Sequence, residues 1–245
     1  MIHRLLVIQH IERESPALFT SVATKLGLDI VISNMDKGDS LIYPTKNDIL
    51  LVLGGPMGIA DLSNPLYNWL SEELAVIKYA NINNIPLIGV CLGAQLLAFA
   101  NGGGVEPLIE PNTKKKKAEI GWSAIDFLNT QIESTIFYKL SVPFYGLHWH
   151  GDKMILPKNA ILMASTPRCR EQMFKIGSCA YGIQFHIEVE ELDYIRWINE
   201  DNNFIEKGLG TNGENILKQQ ISICIQTKTN RIQMINNLFN YILNI

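Results

Sequence analysis

A cysteine stands between two glycines in the segment GVCLG, residues 89–93. An apolar run precedes it and a helix-like segment follows it, so Cys91 is predicted to lie at a strand-to-helix turn. Such a turn is typical of a nucleophile elbow, in which a sharp bend presents the reactive side chain clear of the backbone. The start of a helix stabilises a thiolate, and the N–H of Leu92 can donate to an oxyanion. The alternative is a buried structural cysteine whose glycines serve packing.

A thiol nucleophile needs a base, and the base needs a group that orients it. Among the five histidines, His186 in YGIQFHIEV is the best candidate. Residues i and i+2 of an extended segment project to one face, so Glu188 is its neighbour, and the carboxylate can accept the imidazole N–H. The alternative is an edge strand with its polar residues facing water. His3 and His10 flank the first apolar run, and we expect both to be incidental.

A third segment, LGGPMG at residues 53–58, contains three glycines and a proline after another apolar run. If the runs form neighbouring parallel strands, this loop lies beside Cys91 at the carboxyl edge of the sheet, where the sites of α/β proteins form. Its N–H groups can supply a second oxyanion donor, and Gly55 is the predicted one. The loop lacks the pattern of a phosphate-binding loop, and a plain strand-ending turn is the alternative.

The elements that must position these residues alternate along the first half of the chain. Nearly continuous apolar runs, as in strands buried on both faces of a parallel sheet, occur at residues 5–9, 29–33, 48–55 and 85–90. The second half predicts further strands, partly antiparallel, and turns helical from about residue 192. We expect an α/β fold with a mostly parallel central sheet and helices on both faces. Residues 1–191 are predicted to form the domain and residues 192–245 a helical extension packed on it.

The composition is that of a globular protein with a large core. The chain has 245 residues, of which 47% are hydrophobic and 18% charged, with a formal net charge of −3. This balance does not indicate a partner such as nucleic acid or an anionic membrane, and no run approaches the ~20 apolar residues of a membrane span. The first apolar run is too short for a signal peptide, and the four cysteines lack CxxC spacing. The sequence predicts a cytoplasmic protein with reduced thiols.

Together the three segments resemble the signatures of the class I glutamine amidotransferases, the family with a cysteine, histidine and glutamate triad. GGPMG, GVCLGAQLLA and YGIQFHIEV match those signatures in order and spacing, and the resemblance covers residues 5–189. Within the family, EIGW at 119–122 and HWHGD at 148–152 look most like stand-alone proteins related to the glutaminase domain of GMP synthetase. One position departs from the family pattern, because Ile187 stands where proline is usual.

The resemblance implies a flavodoxin-like fold and an enzyme without a cofactor. It implies that Cys91 attacks the γ-carboxamide of glutamine, that ammonia leaves, and that water cleaves the γ-glutamyl thioester. His186 and Glu188 complete the triad, and Gly55 and Leu92 supply the oxyanion donors. The residues expected to contact or border the substrate are Met57, Gln95, His148, Trp149 and His150.

Two alternatives to glutamine hydrolysis remain open at the level of the sequence. A γ-glutamyl peptidase or hydrolase uses the same acyl chemistry on γ-glutamyl conjugates, and an amidotransferase-like fold can also serve binding or regulation without catalysis. The intact triad favours an enzyme. No synthetase segment is visible in the sequence, so we expect the acceptor of ammonia, if there is one, to be a separate protein.

Two further patterns carry weaker predictions. The pattern H-x-H-x-D at residues 148–152 resembles part of a metallohydrolase site, but such a site needs more ligands, and we predict no metal. The four lysines at 114–117, in a chain of negative net charge, predict a solvated loop rather than a nucleic-acid patch. The alternative is that this loop borders the entrance of the active site.

Overall fold

The computed structural model describes residues 4–110, 112, 114–128 and 136–243. The strands are β1 (Arg4–Gln9), β2 (Asp29–Asn34), β3 (Asp48–Val52), β4 (Leu87–Val90), β5 (Gly104–Pro107), β6 (Glu119–Phe127), β7 (Phe144–His150), β8 (Asp152–Ile155), β9 (Ala160–Ser165), β10 (Met173–Ile176) and β11 (Ala180–Ile183). The α-helices are α1 (Ala17–Lys25), α2 (Leu70–Ile82), α3 (Leu92–Ala100), α4 (Glu191–Glu200), α5 (Asn202–Leu209), α6 (Gly213–Gln219) and α7 (Ile221–Leu243).

Among the described residues, the central sheet has nine strands in the order β2-β1-β3-β4-β11-β10-β9-β6-β7. The first five strands pair in parallel, in the strand order of flavodoxin-like folds. The pairings from β11 to β7 are antiparallel, as the short connections in the second half predict. The parallel half therefore places the ends of β3 and β4 side by side, with the segments 53–58 and 89–93 at the same edge.

The parallel strands are buried on both faces, which explains their continuous hydrophobic sequences. Every residue of β3 and β4 is buried. Alternate residues of these strands project to opposite faces, so Ile49 and Leu51 pack with α1 and α7 whereas Leu50 and Val52 pack with α2 and α3. The sheet is thus covered by helices on both sides, as the sequence predicts.

The C-terminal helices pack on this framework in two places. Helices α4 to α6 cover the strands β6 and β7 around Trp122, Trp149 and Trp197. Helix α7 buries Ile235, Leu238 and Phe239 in the same cluster as β1 and β3. A division of the chain at residue 191 stays a prediction. None of the described helices has the length and apolarity that a membrane span requires.

Candidate active site

Cys91 lies at the turn between β4 and α3, where the sequence places it. Its backbone has φ 49° and ψ −104°, a conformation that costs a non-glycine residue about 1–3 kcal/mol. The Cys91 N–H donates to the carbonyl of Ile183 at 2.8 Å, and the Cys91 carbonyl accepts from the Gln95 N–H at 3.0 Å, so both sides of the turn are tied to regular structure. The residue is 7% exposed, which leaves its thiol in reach of a cavity.

Two glycines let the strand and the helix approach each other at this turn. A Cβ on Gly89 would lie 2.4 Å from the carbonyl oxygen of Gly93. A Cβ on Gly93 would lie 2.2 Å from the carbonyl oxygen of Val52 on β3. Neither position has room for a side chain, so the glycines are required by the close packing that shapes the elbow.

His186 and Glu188 form a buried pair, but not on a regular strand. Strand β11 ends at Ile183, so the prediction of a continuous extended segment is wrong in this detail. His186 instead exchanges two backbone hydrogen bonds with Leu147 on β7, of 2.8 and 3.1 Å. Its Nδ1 lies 2.6 Å from Oε1 of Glu188, and the other ring nitrogen is left for Cys91. The predicted neighbourhood of the two side chains is therefore present in the structure.

Electrostatics favour the charged form of the His186 ring. Burial disfavours the imidazolium most strongly, but the carboxylate of Glu188 and the sulfur of Cys91 hold the pKa of His186 well above its ordinary value. By contrast, burial raises the pKa values of the thiols of Cys169, Cys179 and Cys224. These three thiols therefore ionise less readily than an ordinary thiol, which makes them weaker nucleophiles.

Hydrogen bonds hold both the Glu188 carboxylate and the backbone on either side of it. Its Oε2 accepts the N–H of Ile187 at 2.9 Å, a hydrogen bond that proline at this position cannot make. Arg231 on α7 is fully buried and donates to the carbonyls of Ile187 and Val189 at 3.0 and 2.6 Å. Its guanidinium also lies 4.7 Å from the ring centre of Trp122. The C-terminal helix thereby supports the segment that carries Glu188.

The glycine loop after β3 lies against the side chains of Cys91 and His186. A Cβ on Gly54 would lie 3.4 Å from Cβ of Cys91 and 3.0 Å from Cε1 of His186, so the loop passes directly beside both. Leu92 is the first residue of α3, where the N–H has no partner within the helix. Within the described part of the chain, neither this N–H nor that of Gly55 donates to a protein acceptor.

A cavity of about 550 Å³ opens over these groups. Its wall contains Cys91, Leu92 and Gly55, together with four of the five predicted substrate-binding residues: Met57, Gln95, Trp149 and His150. The fifth, His148, is buried away from the wall, while His186 and Glu188 stand behind Cys91. Lys115, Lys116 and Lys117 line one side, which agrees with the alternative that the lysine loop borders the site. Thr113 lies outside the described residues.

His148 and His150 belong to a buried polar cluster with Glu119. One potential ligand atom from each residue lies within 4.8 Å of the others, so these three residues could hold a metal ion. The carboxylate of Glu119 is already engaged, because it accepts hydrogen bonds from Thr166 at 2.7 Å and Gln172 at 2.6 Å. Burial lowers the pKa of His148 to about 3, so its ring is neutral. That the protein binds no metal stays a prediction.

Sequence reasoning missed three residues beside the site. His10, expected to be incidental, is buried and donates to the carbonyl of Gly54 at 2.8 Å; His3 lies outside the described residues. Gln184 donates to the Cys91 sulfur at 3.5 Å and accepts from Gln95. Glu14 lines the cavity, and burial raises the pKa of its carboxyl group. Only Gln184 carried a sequence signal, since it lies inside the quoted YGIQFHIEV segment.

Solved structures of other proteins share this fold. A glutamine amidotransferase from Thermotoga maritima superimposes with a TM-score of 0.83 and 26% identity, over 99% of each chain. A glutamine amidotransferase from Methylobacillus flagellatus, at 22% identity and a TM-score of 0.82, covers 100% of this chain and 95% of its own. These likenesses confirm the flavodoxin-like α/β class predicted from the sequence.

Sequence comparisons give the same family. One component of the glutamine-hydrolyzing GMP synthase of Picrophilus torridus is 29% identical over 185 residues, 74% of this chain and 87% of its own. The glutamine amidotransferase-like protein YfeJ of Salmonella typhimurium is 27% identical over 188 residues, 76% of this chain and 75% of its own. The profile described as glutamine amidotransferase class-I matches residues 18–194. Because that match covers most of the chain and includes all three segments around Cys91, the protein belongs to the class I glutamine amidotransferases, a family of enzymes that hydrolyse the amide of glutamine.

Proposed function

We propose that the protein hydrolyses the γ-carboxamide of glutamine, with Cys91 as the nucleophile, His186 as the base and Glu188 as its orienting carboxylate. The observation that carries this proposal is the convergence of three features on one cavity. These are the strained turn of Cys91, the 2.6 Å contact between His186 and Glu188, and the N–H groups of Gly55 and Leu92, which have no acceptor among the described residues. Each corresponds to one requirement of acyl transfer: a nucleophile, a base and an oxyanion site.

In the first half of the reaction, the thiol proton passes to His186, whose raised pKa favours the imidazolium, and the sulfur of Cys91 then attacks the amide carbon as a thiolate. The carbonyl oxygen becomes an oxyanion, which the N–H groups of Gly55 and Leu92 stabilise. His186 then gives the proton to the amide nitrogen as the carbon–nitrogen bond breaks. Ammonia leaves, and a γ-glutamyl thioester remains on Cys91.

In the second half, water takes the place of the departed ammonia. His186 removes a proton from the water as its oxygen attacks the thioester carbon, and the same N–H groups stabilise the second oxyanion. Collapse of that intermediate breaks the carbon–sulfur bond and releases glutamate, and the proton held by His186 returns to Cys91. Glu188 keeps the ring oriented and stabilises the imidazolium in both halves without becoming protonated.

The cavity wall supports a role in binding for residues beyond the triad. Gln95 lies one helical turn after Cys91, and Met57, Trp149 and His150 stand on the same wall. We propose that these four residues border the amino-acid end of the substrate. His148 is proposed to act only indirectly, because its ring is buried behind the wall.

The use of the ammonia is a separate part of the proposal. The relative from Picrophilus torridus is named as one subunit of a glutamine-hydrolyzing GMP synthase, a name that describes part of a larger enzyme. We therefore propose that residues 1–191 carry the amidohydrolase, that residues 192–245 are its helical extension, and that a separate synthetase accepts the ammonia.

The size and charge of the cavity favour a second candidate, a hydrolase of γ-glutamyl conjugates. A volume of about 550 Å³ is within the range of sites for drug-sized ligands and exceeds the needs of a single amino acid. Lys116 also lines the cavity and could attract an anionic leaving group, such as the carboxylate of a peptide, whereas Lys117 is paired with Glu110. The triad chemistry is the same, with an amine leaving in place of ammonia.

A substrate screen separates these candidates. The purified protein is incubated with free glutamine, γ-glutamyl amides and γ-glutamyl peptides, with and without cell extract, and ammonia, amine and glutamate are measured. We expect turnover that is absent in Cys91→Ala, slow on free glutamine, and faster with a conjugate or with a partner from the extract. Rapid turnover of free glutamine without gain from either addition would remove the conjugate hydrolase. The absence of Cys91-dependent hydrolysis under every condition would overturn the proposed function and leave binding or regulation.

A further inference from the structure

His10 has a geometry that connects the end of β1 to the glycine loop. Its Nδ1 lies 2.8 Å from the carbonyl oxygen of Gly54, and its Nε2 lies 2.9 Å from Oε1 of Glu73 on α2. The ring stacks on Trp69, with 5.3 Å between the ring centres and 15° between the planes. His10 is 1% exposed and Glu73 is fully buried. A side chain held on three sides in this way has one orientation.

The hydrogen-bond directions follow from the chemistry of the partners. A carbonyl oxygen can only accept, so Nδ1 of His10 carries the proton that is shared with Gly54. The carboxylate of Glu73 also accepts, so Nε2 is a donor as well. Burial works against the charged ring most strongly, but Glu73 and the carbonyl of Gly54 raise the pKa of His10 above its ordinary value. His10 is therefore a fixed donor aimed at the loop.

The loop itself has little other support at this point. The last backbone bonds before the turn are those of Leu53, whose N–H donates to the carbonyl of Ile8 and whose carbonyl accepts from the N–H of Gly93, both at 3.1 Å. The next loop N–H with a partner among the described residues is that of Gly58, which donates to Asp61 at 2.9 Å. Between them lies the peptide that joins Gly54 to Gly55, and glycine backbone can reorient at little steric cost. Its direction therefore depends on what holds its carbonyl.

A trans peptide points its C=O and its N–H in opposite directions. With the carbonyl of Gly54 bound to His10, the N–H of Gly55 points away from His10. Gly55 lines the cavity together with Cys91 and Leu92. The ring also packs on the loop from the same side, since a Cβ on Gly55 would lie 3.0 Å from Cβ of His10.

We propose that His10 is a positioning residue, which holds the peptide between Gly54 and Gly55 with its N–H directed at the oxyanion formed on Cys91. Glu73 and Trp69 hold His10 in turn. This inference rests on the proposed function, because it names the residue that sets the oxyanion donor of that reaction. His10 is not among the residues that line the cavity, and it acts only through the loop.

Three substitutions of His10 test the proposal, because each keeps a different part of the ring. Asparagine places an amide N–H near the position of Nδ1 and can still bind Gly54, whereas glutamine reaches toward the position of Nε2 and Glu73. Phenylalanine keeps the stacking on Trp69 and has no donor. We expect His10→Asn to retain most of the wild-type kcat, and His10→Gln and His10→Phe to lose about 10²-fold, the effect of one oxyanion donor. KM should change little in all three.

Alkylation of Cys91 by iodoacetamide is the control measurement, because it reports the reactivity of Cys91 without an oxyanion. This reaction displaces iodide at a saturated carbon and forms no oxyanion, so its rate should be the same in all three variants if the fold and the pair of Cys91 and His186 are intact. If a variant shows both slow alkylation and slow turnover, the substitution has disturbed the fold or the pair of Cys91 and His186 as well as the loop. If all three alkylate normally and His10→Phe turns over as fast as wild type, or if His10→Asn is as slow as His10→Phe, the proposal is overturned.

A readout without turnover separates this inference from the proposed function. An N-acylated glutamate γ-semialdehyde cannot form a cyclic imine, because its amine is blocked. The Cys91 thiolate adds reversibly to the aldehyde carbon and gives a tetrahedral hemithioacetal, whose oxygen takes the place of the oxyanion. Protection of Cys91 from iodoacetamide then measures its affinity. We expect weaker protection in His10→Phe than in wild type and His10→Asn. Equal protection in all four proteins would overturn the role of His10, whatever the wild-type protein does with glutamine.

Discussion

The two halves of the reaction centre are held in opposite ways. The turn of Cys91 is fixed by contacts of Gly89 and Gly93 with backbone that lies within the same motif or on the adjacent strand. The segment of Glu188 has no regular strand and depends on Arg231, 44 residues further along the chain from Ile187. Local packing therefore shapes the turn of Cys91, whereas backbone pairing with Leu147 and the distant side chain of Arg231 position His186 and Glu188.

Removal of the nucleophile should have the largest effect. Cys91→Ala is expected to lower kcat/KM for the best substrate by about 10⁴-fold or more, because no thioester can form. It should also abolish labelling by a glutamine-like diazo ketone, measured by mass spectrometry of the intact protein and its peptides. Labelling of Cys169, Cys179 or Cys224 in place of Cys91 would contradict the assignment, since burial raises the pKa of each of these thiols.

The distant half of the site should show graded losses. His186→Ala removes the base, whereas Glu188→Gln removes only the charge that orients and stabilises it. We expect Glu188→Gln to retain roughly 10- to 100-fold more kcat/KM than His186→Ala, as is typical of the orienting member of a triad. Steady-state kinetics of both variants on one substrate measures the ratio. The reverse order would mean that the two roles are exchanged.

Substitutions in the turn of Cys91 should lower the stability of the fold rather than act on the chemistry directly. Gly93→Ala forces a Cβ to within 2.2 Å of the Val52 carbonyl. We expect a loss of about 3 kcal/mol in the free energy of unfolding, measured by urea denaturation. Gly58→Ala is the matched control, because its Cβ would meet nothing within 4 Å and its φ is −143°. If both variants are equally stable, the elbow is less tightly packed than its contacts indicate.

The smallest effect is expected at the position that departs from the family pattern. Ile187→Pro removes the N–H that Oε2 of Glu188 accepts at 2.9 Å. A hydrogen bond to a charged acceptor contributes about 1.5 kcal/mol at the low end, so kcat/KM should fall by roughly tenfold. Ile187→Val keeps the N–H and trims one methyl group, which controls for lost packing. Equal activity of the two variants would show that the Ile187 N–H is dispensable.

The sequence was most informative where structure is enforced locally. The parallel strands, the elbow and the glycine loop follow from apolar runs and from glycines at fixed spacing, and all appear at the predicted positions. His10, Glu73 and Arg231 could not be identified in this way. The partners that give them their roles lie between 42 and 63 residues away along the chain, and a lone buried histidine or arginine has no periodicity to distinguish it.

The same limit applies to the course of the chain after β11. An alternation of polar and apolar residues predicts that the strand continues through His186. In the structure, the ring of Phe185 packs against Gly146, a position at which any side chain would clash with the ring. The backbone of His186 pairs with that of Leu147. The two side chains of His186 and Glu188 are neighbours, as predicted, but for a different geometric reason. Side chains two positions apart can meet in a bent segment as well as in a strand, if distant groups hold the bend.

The buried position of Arg231 has a consequence for synthesis. The carbonyls of Ile187 and Val189 acquire their partner only when residue 231 has been made, 44 and 42 residues later. At about 5–20 residues per second this is a delay of roughly 2–9 seconds. During that interval the nascent chain contains the complete elbow but not the bond that anchors its acidic partner. The turn of Cys91 can therefore form before the segment of Glu188 has its anchor, and we expect the proposed activity to begin only after α7 has docked.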